Sequence, residues 1–282
     1  MPARLIIAAF ASLGLITTAS AQERIVSVGG DVTEILYELG RWDDIVANDS
    51  TSMYPADAET KPKVGYLRNL SAEGVLSAEP SLILISGAAG PAPAVEQLRA
   101  SGVTMIEMEP DYTVDGIIEK VTTVASAVGE EEAGEVLSAR IAGEWAEAQD
   151  AITALGISPK VLFFAALRDG APRAAGTYTA ADGVIRMLGG VNVFSDFSGF
   201  KPLSLEAAVA ADPDIILIMD HHAERVGGID SVDDHPALRL TTAAKEGRIV
   251  MVDQVTVMQF GPRMPNAVRE VAERIAAGDT IE

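Results

Sequence analysis

One segment of this chain occurs twice, and that duplication limits the folds open to it more than any other feature. Leu70-Ser71-Ala72-Glu73 leads to Ala78-Glu79-Pro80 and then to the apolar run Ile83-Leu84-Ile85. Leu203-Ser204-Leu205-Glu206 leads in the same way to Ala211-Asp212-Pro213 and Ile216-Leu217-Ile218, with equal spacing and no gap. In each copy Leu-Ser starts a short helix, and the Glu falls in its first turns, where the helix macrodipole favours a carboxylate. The Pro ends the loop before a buried strand. Two such units, far apart in the chain, predict two α/β lobes of one design with a cleft between them.

Apolar runs of strand length alternate with segments of helical spacing, which argues parallel sheets in an α/β arrangement. The first lobe, 22–112, shows strands near 25–28, 45–47, 82–85 and 104–108, with Asp31 as a candidate N-cap for a helix ending at Gly40. The stretch 113–156 has almost no turn chemistry. Val114, Ile117, Val121, Val136, Ile141, Trp145 and Ile152 keep helical spacing there, and Gly129 with Glu130-Glu131-Glu132 offers a division. This reads as a rigid helical backbone, unlike a Gly/Ser linker that would let the lobes swing. The second lobe, 157–282, shows strands near 161–166, 215–219 and 249–252, with helices near 180–188, 203–211 and 265–277. The expected fold is thus α/β: two Rossmann-like lobes with parallel-type sheets, joined by a long rigid helix.

Arg4, an apolar stretch and Ala19-Ser20-Ala21 open the chain. They read as a secretory signal peptide, 1–21, cleaved after Ala21. No Cys follows to take a lipid anchor, so the mature protein is expected free in the periplasm. The formal charge of −20 repels nucleic acid and anionic lipid, so neither is an expected partner. The chain shows no G-x-S-x-G elbow, no H-E-x-x-H and no Gly-rich phosphate loop, so nothing nominates a catalytic residue or a nucleotide. Three His, two of them adjacent and none in the first lobe, do not supply the three or four ligands of a zinc or manganese carrier.

Val64-Gly65-Tyr66-Leu67-Arg68-Asn69-Leu70-Ser71-Ala72-Glu73-Gly74 resembles the haem-binding branch of the helical-backbone periplasmic binding proteins, a class that also carries siderophores and vitamin B12. Ala175-Gly176-Thr177, Gly189-Gly190-Val191-Asn192, Lys201-Pro202-Leu203-Ser204 and Phe260-Gly261-Pro262-Arg263 extend the likeness over essentially the whole mature chain. The resemblance implies a non-enzymatic monomer that binds ferric haem and hands it to an inner-membrane ABC permease with its cytoplasmic ATPase. An outer-membrane haem receptor system would supply the haem. A ferric-siderophore or cobalamin carrier of the same fold is the alternative.

Within that resemblance Tyr66 is the axial ligand, since tyrosinate suits hard ferric iron. A free phenol ionises near 10, so ligation needs help from the iron and from nearby positive charge. If the segment is extended, Arg68 lies on the same side as Tyr66 and stabilises the phenolate. Arg263, expected at the cleft edge, would meet the haem carboxylates or the phenolate. Arg173 and Lys63 are further cation candidates, and Phe260, Tyr178, Met258 and Phe200 are candidate apolar walls. His221 and His222 follow a strand, in a loop position that can face the cleft, while the remainder of that loop, 223–228, reads as exposed; a second axial ligand from one of them is the alternative to a five-coordinate site. Glu73 and Glu206 are either helix-terminal carboxylates or, as the resemblance implies, the pair that docks on permease arginines. His235 reads as a turn residue.

Overall fold

The computed structural model describes residues 23–166, 172–225, 227–228, 232, 234–236 and 238–278; the expected signal peptide lies outside them. In chain order the first lobe comprises β1 (Ile25–Val28), α1 (Gly30–Glu38), β2 (Ile45–Asn48), β3 (Gly65–Tyr66), β4 (Asn69–Leu70), α2 (Ala72–Leu76), β5 (Leu82–Ser86), α3 (Ala92–Arg99) and β6 (Thr104–Met108). Two helices follow, α4 (Val114–Val128) and α5 (Glu131–Leu155). The second lobe comprises β7 (Lys160–Ala166), β8 (Pro172–Ala175), α6 (Ala180–Met187), β9 (Val191–Asn192), β10 (Phe200–Pro202), α7 (Leu205–Ala211), β11 (Ile215–Met219), α8 (Asp220–Arg225) and β12 (Ile249–Val252). A short helix, Gln254–Val257, and a long one, Met264–Ala277, complete it.

The repeat is visible in three dimensions. In the first lobe β5 lies between β1 and β6, all parallel; in the second β11 lies between β7 and β12, again all parallel. Before each central strand a serine caps the short helix. Ser71 Oγ accepts from the Gly74 N–H at 3.3 Å, and Ser204 Oγ from the Ala207 N–H at 3.2 Å. These caps explain why α7 begins at Leu205, two residues later than the periodicity suggests.

Alternate residues of each central strand face different cores. Val26, Val28, Ile83 and Ile85 pack under the outer face of the first sheet, and Leu162, Phe164, Ile216 and Ile218 under that of the second. The inner faces join. Ile25, Leu84, Ile117, Ile141, Phe163, Leu217, Met264 and Val268 belong to one buried cluster that runs through both lobes. Complete burial of a side chain such as Ile141 or Phe163 stabilises by roughly 1.5–3 kcal/mol, so the lobes are held by packing as well as by chain connection.

The backbone divides into two helices at Gly129, where the sequence offers a division, with α5 packed on α4 at one side and on the last helix at the other. Two details differ from the sequence reading. The second sheet is mixed, because β8 runs antiparallel to β7 and β10 antiparallel to β8. Asp31 is not the N-cap; Gly29 holds that place at φ 116°, a conformation favouring glycine. Asp31 sits in the first turn of α1 and pairs with Lys120.

Candidate functional site

A cleft of about 1080 Å³ opens between the lobes. The first lobe contributes the β1–α1 turn, the β3–β4 hairpin and the loop from Glu109 to Tyr112. The second contributes Arg173, Tyr178, His221, His222 and the segment around Phe260. The β-strand ends and their loops form the cleft walls, as expected where open α/β sheets present ligand sites.

Tyr66 ends β3 and pairs with Asn69 across the hairpin, and the residue remains 49% exposed at the cleft wall. Leu67 and Arg68 form the turn between β3 and β4. The extended geometry expected through Arg68 is therefore absent: Arg68 lies in the turn that reverses the chain, and it and Tyr66 both line the cleft. The Arg68 charge acts on Tyr112. Burial raises the Tyr112 phenol above its ordinary range, Arg68 opposes that rise and Asp31 reinforces it. Tyr112 packs edge-on against Phe260 with ring centroids 5.2 Å apart. Gly183 permits this approach, because a Cβ there would stand 2.6 Å from Cβ of Tyr112 and 2.7 Å from the Phe260 ring.

The other cations divide sharply. Arg173 lines the cleft from β8 and donates through a terminal nitrogen to the Phe200 carbonyl. Arg263, expected at the cleft edge, is not among the cleft-lining residues. Its Nη2 is 3.1 Å from Glu34 Oε2, its backbone N–H donates to Glu34 Oε1 at 3.1 Å, and its guanidinium lies 3.7 Å over the Tyr54 ring. Glu34 is buried, and that burial raises its carboxyl above the usual range while Arg263 pulls it down. The pair ties α1 of the first lobe to the last helix of the second. Lys63 is likewise committed elsewhere: its ammonium donates to Asn48 Oδ1 at 2.8 Å and to the carbonyls of Ser52 and Ala58 at 3.0 and 2.9 Å. Burial lowers its pKa.

Lys120 was not foreseen as a site residue. It donates from α4 to Asp31 Oδ2 at 2.6 Å and to the Phe260 carbonyl at 2.7 Å, at the cleft surface. Its sequence signal was a Lys beside the apolar stripe of Ile117, Val121 and Val124. Gln259 makes another bridge between lobes, donating to the Thr51 carbonyl at 2.7 Å.

His221 and His222 stand in helix α8 where a loop is expected, and both line the cleft. Their ring centroids are 4.2 Å apart, His222 is buried, and Ala223 beside them is buried too. His235 packs edge-on against Phe164 at 5.2 Å, and burial lowers its pKa. Among the walls, Phe260 and Phe200 line the cleft from partly or fully buried positions, Met258 lines it as well, and Tyr178 is 85% exposed. Glu73 and Glu206 are exposed in the first turns of α2 and α7. Backbone and Ser204 hydrogen bonds lower the Glu206 carboxyl pKa. Among the described residues no group of three His, Asp or Glu converges as a metal-ion site requires.

Two α/β lobes with parallel central strands on a helical backbone, with a ligand-sized cleft between them, define a two-lobed solute-binding protein. The chain belongs to the periplasmic binding protein family, whose pattern matches residues 25–256. The periplasmic haem-binding protein RhuT of Roseiflexus sp. RS-1, in apo form, superposes with a TM-score of 0.86 at 37% identity, over 91% of this chain and 98% of that one. The periplasmic haem-binding protein BhuT, in complex with two haems, gives 0.86 and 37% over 90% and 98%. A cobalamin-binding protein of Halobacterium salinarum is 27% identical over 270 residues, covering 93% of this chain and 72% of its own length.

Proposed function

We infer that this chain is a periplasmic carrier that takes ferric haem into the inter-lobe cleft, ligates its iron through Tyr66 and delivers it to an ABC permease. The observation that carries this reading is the Tyr66 phenol, half-exposed on a short hairpin at the wall of a cleft of about 1080 Å³. An apolar disc with two carboxylates needs one hard anionic donor, apolar walls and cations at the rim. Tyr66, Phe200, Phe260, Met258, Arg68 and Arg173 offer that set. The likeness to haem-binding structures at 37% identity supports haem among tetrapyrroles.

In this reading Arg263 acts on the lobe interface through Glu34 and Tyr54. His221 and His222 form a cleft wall around a five-coordinate iron. Glu73 and Glu206, exposed and equivalent in the two lobes, register the protein on a two-fold permease, where rim charges orient and speed docking. The mature chain begins after the 1–21 leader and works in the periplasm as a monomer, with lobes 22–112 and 157–282 about the 113–156 backbone.

Cobalamin is the second reading, favoured by the Halobacterium relative. A competition titration separates the two. Ferric haem should saturate the mature protein with a tyrosinate-type spectrum, and cyanocobalamin in excess should fail to displace it. Displacement, or an unchanged free-haem spectrum, would remove the haem assignment.

A further inference from the structure

The site already described leaves one buried group unused. Asp49 is fully buried just after β2; among the described residues its carboxylate makes no salt bridge, and the cation it acts on electrostatically is Lys63. Donors from three chain segments converge on its carboxylate. Its Oδ1 accepts from the Gly29 N–H at 2.9 Å and from Ser52 Oγ at 3.1 Å. Its Oδ2 accepts from the Thr51 N–H at 2.9 Å, from Thr51 Oγ1 at 2.8 Å and from the Leu67 N–H at 3.2 Å. Ser52 Oγ is also 2.7 Å from Thr33 Oγ1, which is 2.7 Å from Ser27 Oγ, so the carboxylate ends a buried chain of hydroxyls rooted in β1 and α1.

The Leu67 N–H belongs to the residue that follows Tyr66. A hairpin with two residues in each strand does not hold its own position. Backbone bonds from Ser50 to the Gly65 carbonyl and from Gly90 to the Leu67 carbonyl fix its edges. Asp49 is the side chain that grips its turn and links it to the β1–α1 turn at the cleft floor. Buried networks of this kind are stiff when every member is satisfied, and a ligand-bearing side chain needs that stiffness to hold its geometry.

We propose that Asp49 is the positioning residue for Tyr66: its carboxylate fixes the hairpin turn so that the phenol meets the iron at one distance and angle. The proposal rests on Tyr66 being the ligand. Asp49 touches neither iron nor haem, and it acts through Leu67. A carboxylate is required because all of its neighbours arrive as donors; either orientation of an amide would turn an NH2 group against some of them.

The test replaces the Leu67 peptide N–H by an ester oxygen, which removes one donor to Asp49 and leaves the carboxylate in place. Asp49→Asn and Tyr66→Phe are prepared alongside, and all are titrated with ferric haem. The ester variant should stay folded, with a melting temperature several degrees below the parent's. Its phenolate-to-iron charge-transfer band should shift and weaken, and its haem affinity should fall roughly tenfold or more, as for loss of a hydrogen bond to a charged group. Asp49→Asn should move the same band; if it fails to fold, the ester variant decides. A parent-like band and affinity in the ester variant, with the band lost in Tyr66→Phe, would overturn the positioning role alone. A band that survives in Tyr66→Phe would overturn the ligand reading on which the role rests.

Discussion

Replacing Lys120 by Ala should destabilise this protein more than removing most single surface charges. Lys120 and Asp31 have side chains only 9% and 8% exposed, with Nζ 2.6 Å from Oδ2, and the same ammonium satisfies the Phe260 carbonyl at 2.7 Å. The three groups come from α4, from α1 and from the loop before the last helix, so the contact joins both lobes at the cleft. Truncation leaves a buried carboxylate without its cation, a change that costs about 3–5 kcal/mol. For a chain of this size that corresponds to a fall in melting temperature of roughly 6–20 °C. Removing the charge on both sides, with Lys120→Met and Asp31→Leu together, should recover most of the loss, since an apolar pair of similar volume is often neutral. A residual cost of about 1–3 kcal/mol should remain, because the Phe260 carbonyl still lacks its donor. Urea and thermal unfolding at pH 7 read both variants. A Lys120→Ala protein within about 1 kcal/mol of the parent would refute the reasoning, as would a double variant no better than the single.

Three further outcomes follow from the same geometry. Burial lifts Glu34 above its ordinary 4.5, so the native state holds that proton more tightly than the unfolded chain. Its contribution to stability is fully present below 4.5 and declines as pH rises toward the raised value. The stability difference between parent and Glu34→Gln should therefore shrink with rising pH across that window, and a difference independent of pH contradicts the assignment. Replacing His221 and His222 together by Ala should leave a high-spin ferric spectrum in place; a change of spin state on mutation would show that one of them ligates. Glu73→Ala with Glu206→Ala should keep haem affinity and melting temperature while haem transfer into permease-containing proteoliposomes falls, and the parent's transfer should weaken with salt as screening of exposed charges requires. Normal transfer by that double variant would remove the docking role.

The duplicated helix–Pro–strand unit made the two-lobed fold readable in the sequence, because local rules govern it: a serine cap, a proline stop and a fully apolar strand. The central strands and the last helix lie within a residue or two of where the sequence put them. The antiparallel strands β8 and β10 escaped notice since Pro172-Arg173-Ala174-Ala175 and Phe200-Lys201-Pro202 are short and carry no alternating pattern. At the site, Tyr66 and Arg68 were legible through the family-like stretch that holds them, and Arg173 and the two histidines through residue type; all five line the cleft. Position was harder to foresee. Arg263 and Glu34, and Lys120 and Asp31, lie far apart in sequence, and nothing local reveals that each cation has a buried carboxylate waiting on α1. Asp49 gave a weak signal, the polar run Asn48-Asp49-Ser50-Thr51-Ser52 directly after a buried strand, but its grip on Leu67 depends on how the hairpin folds back.

The central claim is that the Tyr66 phenolate binds haem iron in the inter-lobe cleft. Resonance Raman spectra of the ferric-haem complexes of the parent and of Tyr66→Phe, excited in the phenolate-to-iron charge-transfer band, test it most directly. Phenolate ring and iron–oxygen modes should appear in the parent and be missing from the variant, which should hold haem more weakly. The same modes in both proteins, or in neither, would contradict it.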